Sequence, residues 1–167
     1  MILPDHLAPG LRAVFCGTAP GHASARAGHY YANPGNRFWG LLHEVGLTPR
    51  RLSPAEDHLM PGFGLGLTDL AKTVAGQDAD LPRDAFDPGR VLTRMAALRP
   101  RALAFTSLTA ARVGLGYRVA AGRVAAVAAL PGVAIFALPS PSGLARSHFH
   151  SGPWAELAHH LRESEAA

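Results

Sequence analysis

One cysteine, Cys16, stands in the whole 167-residue chain. A lone thiol excludes an internal disulfide, a cysteine-built zinc site and an iron–sulfur cluster, and its place in the apolar run Ala13-Val14-Phe15-Cys16 marks it as a core residue. Also missing is any apolar stretch near the roughly 20 residues that a membrane-spanning helix needs. The opening residues, Met1-Ile2-Leu3-Pro4-Asp5-His6, lack the basic-then-apolar order of a secretory leader, so an intracellular, cytoplasmic protein with no membrane partner is expected. Acidic charge is in deficit, with 12 Asp and Glu against 16 Lys and Arg and a net charge of +4. Nearly all the cations are Arg, whose planar fork suits phosphate oxygens; a polyanionic partner is permitted and not required.

What is present is enough for one packed core. With 48% hydrophobic residues, the length suits a single domain over residues 1–167, its core about 12–162. The 18 Gly and 14 Pro are scattered between apolar runs and read as turn punctuation. Residues 12–17 read as a buried strand closed by Gly17. Residues 36–45 carry Phe38, Trp39, Leu41, Leu42 and Val45 at helical spacing, with Gly46 placed to stop the helix. Residues 64–67 suggest a strand end, with Thr68-Asp69 leading into a helical turn at Leu70-Ala71-Lys72. Residues 87–98 form a helix with Asp87 as N-cap and Pro88 in the first turn. Strands are expected at 101–106, weakly at 123–127 and clearly at 133–138, and helices at 107–113 and 154–161. This alternation predicts an α/β three-layer sandwich with a central, largely parallel sheet of four or five strands. Ligands of such sheets gather beyond the carboxyl ends of the strands, where loops 18–31, 68–72 and 139–146 would meet.

Common catalytic templates fail. Leu138 stands where a nucleophile elbow needs its first Gly. Gly62, Gly64 and Gly66 lack dinucleotide spacing, and no phosphate-loop Lys follows a Gly-rich turn, so no cofactor is expected. His148 with His150, and His159 with His160, lack the spacing of a metal site, so no metal is expected either. Four segments remain: Gly17-Thr18-Ala19-Pro20-Gly21, Tyr31-Ala32-Asn33-Pro34-Gly35-Asn36-Arg37-Phe38-Trp39, Gly66-Leu67-Thr68-Asp69-Leu70 and Leu138-Pro139-Ser140-Pro141-Ser142-Gly143-Leu144-Ala145-Arg146. In this order they resemble the mismatch-specific uracil-DNA and thymine-DNA glycosylase family, over about Val14 to Arg146.

The resemblance implies an enzyme that everts a base from duplex DNA and hydrolyses its glycosidic bond, leaving an abasic site. Double-stranded DNA with G·U or related mismatches would be the partner, and a monomer is expected. In the matching loop, Gly143-Leu144-Ala145-Arg146 would be the wedge that fills the vacated stack, with Leu144 as the apolar tip and Arg146 reaching the opposite strand. Ser140 and Ser142 would offer hydroxyls to base or phosphate, and Ser24 would grip the DNA backbone. Tyr31 would stack on the everted base, with Tyr30 the alternative stacker. Gly17 and the N–H groups of Thr18 and Tyr31 would line the base site, the donors facing a uracil carbonyl. Asn36 and Arg37 would belong to the scaffold.

One departure changes the expected chemistry. The family's first motif usually carries Asn, which positions the attacking water, where this chain has Ala19, and losing such a group commonly removes about 10² to 10⁴ in rate. Asp69 is the proposed replacement, because a carboxylate can both stabilise an oxocarbenium-like sugar and take a proton from water. The alternative is that Asp69 merely caps a helix; Ser140 is the reserve catalytic residue. No lysine stands in a pocket motif to form an imine, so a monofunctional glycosylase is expected. Two other readings stay open: a lesion-binding protein that lost catalysis with the Asn, and a hydrolase of free nucleosides.

Overall fold

The computed structural model describes residues 1–143 and 149–166. Five strands form one sheet in the order β2-β1-β3-β5-β4: β1 (Ala13–Gly17), β2 (Leu65–Asp69), β3 (Ala102–Phe105), β4 (Gly122–Val124) and β5 (Ala134–Ala137). All neighbours run parallel except β4, which is antiparallel to β5. The four parallel strands are buried along their whole length, as expected when helices cover both faces.

Side chains alternate across the sheet, and this alternation splits the core in two. Ala13, Phe15, Leu65, Leu67, Ala104 and Phe136 face one layer. That layer is built by α2 (Phe38–Glu44) and α5 (Gly152–Ala166), which contribute Phe38, Trp39, Leu41, Trp154 and Leu157. Val14, Cys16, Leu103, Phe105 and Ile135 face the other, covered by Val91 and Met95 of α3 (Pro88–Leu98) and Ala110 and Ala111 of α4 (Leu108–Leu115). The expected α/β sandwich is therefore present, with five strands. Among the described residues no helix is long and apolar enough to cross a membrane.

The local signals mostly act as chemistry dictates. Asp87 accepts a hydrogen bond from the Arg90 N–H and Pro88 opens α3, and Ser107 caps α4 in the same way. Helix α2 starts at Phe38, later than residue 36, because the Asn36 side chain accepts from the Phe38 N–H at 2.9 Å. The helical turn expected at Leu70-Ala71-Lys72 does not form. β2 runs on to Asp69, and the Leu70 and Ala71 N–H groups donate to the carbonyls of Gly17 and Thr18. Among the elements not expected from periodicity are α1 (His22–Ala27) and the 3₁₀ segment Pro54–Phe63, opened by a reciprocal Ser53–Glu56 capping box.

Helix α4 lies so close to β3 that a Cβ on Gly114 would sit 2.4 Å from the fully buried Phe105 ring. Gly114→Ala should normally gain about 1 kcal/mol of helix propensity, but here the overpacking is expected to dominate. A net loss of about 1–3 kcal/mol should appear as a lower urea midpoint; an unchanged midpoint would mean that α4 slides freely off β3.

Candidate functional site

The parallel register pairs Gly17 with Asp69 across the last rung of β1 and β2. Strand alternation then fixes the face. Asp69 follows Leu65 and Leu67 in the two-residue period, so its side chain leaves the sheet on the side of Phe15, Phe38 and Trp154. A Cβ placed on Gly17 would meet Asp69 Oδ1 at 2.7 Å, the Tyr31 hydroxyl at 3.3 Å and Thr106 Oγ1 at 3.4 Å. Three polar side chains from three segments thus converge on one Cα that carries none. A methyl at 17 would have to push the Asp69 carboxylate aside, so Gly suits this close approach.

Asp69 is 3% exposed, and its Oδ2 is buried with no hydrogen-bond partner among the described residues. Burial without compensation penalises the charged form. It lifts the carboxyl to about 7, with Lys72 pulling it down, Asp5 pushing it up and Arg90 pulling it down. A helix-capping Asp would instead hold a backbone N–H, and none is offered here because no helix follows. An unpaired buried carboxylate poised near neutrality at the carboxyl end of a parallel sheet is an expected mark of a working group.

Tyr31 sits opposite, and its backbone is strained: φ is +51°, a left-handed conformation that costs a non-glycine residue roughly 1–3 kcal/mol. Its neighbours pin that conformation. Asp57 accepts from the Tyr30 N–H at 3.0 Å, Trp39 Nε1 donates to the Tyr30 carbonyl at 3.1 Å, and Ser24 Oγ accepts from the Ala32 N–H at 3.0 Å. The Tyr31 hydroxyl pairs with Thr106 Oγ1 at 2.9 Å, and its ring stacks on Phe38 at 4.0 Å between centroids. One ring face is therefore taken by the protein. Among the described residues the Thr18 and Tyr31 N–H groups have no protein acceptor.

Several sequence expectations change here. Ser24 is only 5% exposed, and its Oγ accepts from the Ala32 N–H, so it supports the Tyr31 turn. Tyr30 is buried, with its hydroxyl donating to the Pro4 carbonyl, which removes it as a base stacker. Ser140 accepts from the Ser142 N–H at 3.2 Å. Gly143 lies against Gly35, whose carbonyl would be 3.2 Å from an added Cβ, and the Arg37 N–H donates to the Pro141 carbonyl. The loop after β5 is thereby docked on the Asn33-Pro34-Gly35-Asn36 turn. The wedge residues Leu144 and Arg146, and His148, lie outside the described residues. Thr106, Asp57 and Asp78, whose Oδ1 accepts from Thr18 Oγ1 at 2.5 Å, were not foreseen; no local motif announces them.

A cavity of about 400 Å³ opens beside Tyr31, between Asn33, Asn36, Trp39, Arg51 and Ser53. Neither Gly17 nor Asp69 lines it. Among the described residues no group of three or more His, Cys, Asp or Glu could hold a metal ion.

A sheet of this order with a carboxylate and an aromatic ring at its carboxyl edge defines an α/β fold with its site between the loops. The uracil DNA glycosylase superfamily model matches residues 4–160, and the chain belongs to that superfamily. It is similar to the solution NMR structure of a putative uracil DNA glycosylase from Methanosarcina acetivorans, with 22% identity, 96% of each chain covered and a TM-score of 0.64. At that identity the likeness shows the fold.

The raised carboxyl makes Asp69 a liability to the fold at high pH. A group that binds its proton more tightly folded than unfolded contributes stability that is complete below about pH 4 and lost as pH rises through about 7. Asp69→Asn, which cannot ionise, should therefore gain over the parent as pH rises from 4 to 8, by up to about 4 kcal/mol. Thermal melts across that range check it; a gain independent of pH would show that the carboxyl is not held near neutrality.

Proposed function

We propose that this superfamily member is a monofunctional, mismatch-directed DNA glycosylase that hydrolyses the N-glycosidic bond of uracil, with Asp69 as the group acting on the sugar and water. The observation that carries the reading is the unpaired Asp69 carboxylate, set over Gly17 within reach of Tyr31 and Thr106. In this reading the everted uracil would be met by these groups. The Tyr31 ring would supply a stacking surface worth roughly 1–3 kcal/mol, and the unmatched Thr18 and Tyr31 N–H groups suit a carbonyl oxygen that gains negative charge as the bond breaks.

In this reaction the bond from C1′ to the base nitrogen breaks, and its electron pair leaves with the base. Ionised Asp69 stabilises the positive charge on the sugar. Water then forms the new C1′–O bond and gives its proton to Asp69. Gly143, Leu144 and Arg146 would fill the gap in the duplex, with Ser142 beside them, while Gly17, Thr18, Tyr31 and Ser140 line the base site. The substitution of Ala19 for a water-positioning amide favours one other reading, a lesion-binding protein that does not turn over.

Uracil release from a G·U duplex under single-turnover conditions separates the two. The intact protein should release uracil, Asp69→Asn and Asp69→Ala should lose about 10² to 10⁴ in rate while still binding duplex, and Ser140→Ala should lose far less. Full activity in both Asp69 variants would sink the assignment, and no release by the intact protein would favour the lesion binder. Duplex binding should also weaken steeply with salt as counterions are released; salt-independent binding would point to a hydrolase of free nucleosides.

A further inference from the structure

Asp69 has no hydrogen-bonded partner for its buried oxygen, yet it does not stand in a neutral surrounding. At the open edge of β2, residues 1–6 run alongside the strand. His6 forms an antiparallel bridge with Leu67, and the Ile2 N–H donates to the Lys72 carbonyl at 2.7 Å. This segment delivers the Asp5 carboxylate to the end of β2. Asp5 Oδ1 accepts from Lys72 Nζ at 2.8 Å and from Thr68 Oγ1 at 2.7 Å, and its Oδ2 accepts from Arg90 Nη1 at 2.9 Å. The other guanidinium nitrogen of Arg90 donates to the Asp69 carbonyl at 2.7 Å and to Thr68 Oγ1 at 3.2 Å. Lys72 also donates to the Tyr30 hydroxyl at 3.1 Å, next to the strained turn at Tyr31.

Two cations and one anion are thus tied together around the residue on which the proposed reaction depends. None of them hydrogen-bonds to its carboxylate. Lys72 and Asp5 are largely sheltered, with side-chain exposures of 11% and 16%, so their charges are screened less than surface charges would be. Pairing of surface ions would not call for this arrangement: Arg90 reaches past Asp5 to hold the backbone of Asp69 itself, and its Nε remains buried without a partner.

We propose that Asp5, Lys72 and Arg90 are positioning residues that fix the end of β2 and set the pH at which Asp69 becomes competent, with Lys72 and Arg90 favouring its ionised form and Asp5 opposing it. The proposal rests on the catalytic reading of Asp69 for its functional half, but the electrostatic half stands without it. The signs follow from Coulomb's law and match the directions in which these three groups move the Asp69 carboxyl. Among the described residues, the other titratable groups that Asp69 influences are Tyr30, Tyr31 and, from the opposite face of the sheet, Cys16. Burial pushes all three upward, so they stay neutral and change no charge between about pH 5 and 9.

The cluster makes a prediction of opposed sign that a merely structural role would not. Asp5→Asn keeps the shape and removes the negative charge, so Asp69 should ionise at lower pH. Lys72→Met keeps the stem and removes a positive charge, so Asp69 should ionise at higher pH. Each shift should be about one pH unit, the scale of neighbouring-charge effects on carboxyls.

The experiment follows the Asp69 carboxyl by carbon NMR titration, assigned through Asp69→Asn, and measures single-turnover uracil release from a G·U duplex over the same pH range. At pH 6 the Asp5→Asn variant should release uracil about fivefold faster than the parent, since a one-unit fall from about 7 raises the ionised fraction by that factor. Lys72→Met should be slower at that pH, and both should converge on the parent at high pH. Shifts of the same sign in both variants, or no shift in either, would overturn the proposal. If Lys72→Met fails to fold, the near-isosteric Asp5→Asn decides by the sign of its shift alone. Opposed NMR shifts that the rate profiles do not follow would uphold the electrostatic coupling and remove Asp69 from the chemistry.

Discussion

The site depends on one rung of the sheet, where Gly17 and Asp69 face each other across β1 and β2. A parallel register slipped by a single residue would turn Asp69 to the opposite face, among Val14, Cys16 and Leu70. A side chain at 17 would fill the space its carboxylate overhangs. The rung is secured on both sides. Within the strands, apolar residues are buried throughout; beyond them, the Leu70 and Ala71 N–H groups continue the ladder onto the Gly17 and Thr18 carbonyls. The loops that carry Thr18 and Lys72 therefore leave the sheet from fixed positions.

That geometry is costly in two places, and the surrounding structure offsets both. A carboxylate without a partner disfavours its own ionised state, and Tyr31 holds a backbone conformation that few residues other than glycine adopt readily. Neither would persist on a loose scaffold. The Tyr31 turn is held from four directions by Asp57, Trp39, Ser24 and Thr106, and Asp57 is itself almost fully buried, with His29 Nδ1 at 3.2 Å. Strain that is over-determined in this way, next to an unpaired buried acid, sets these residues apart from the ordinary core.

Much of the scaffold was legible because its signals are local. Short apolar runs marked four of the five strands, and the pair Asp87-Pro88 marked a helix start. The error at Leu70-Ala71-Lys72 is informative. Thr68-Asp69 before an apolar pair looks like an N-cap, but the sheet competes for the same N–H groups and wins, since they complete the parallel ladder with β1. Ser53-Pro54-Ala55-Glu56 did carry a capping signature that could have revealed the 3₁₀ segment. Ser24 shows what motif matching leaves out: its hydroxyl oxygen also accepts from a backbone N–H eight residues on, at Ala32. Thr106, Asp57, Asp5, Lys72 and Arg90 were out of reach for another reason. Most of their site contacts join residues tens of positions apart, where no periodicity or spacing rule operates.

Under the proposed function, Ala19 and Asp69 belong together. At the end of β1 an amide would orient water through hydrogen bonds and stay neutral at every pH. A carboxylate on the adjacent strand brings a charge as well, and with it a dependence on the electrostatic surroundings that an amide does not have. The ion cluster at the β2 edge is the counterpart of that exchange. With a neutral group at the site, Lys72 and Arg90 would be two sheltered cations sharing one Asp; with an acid there, they help it to ionise while Asp5 restrains them. Chemistry carried by Asp69, as proposed, would tie the site to the N-terminal segment through Asp5 and to α3 through Arg90.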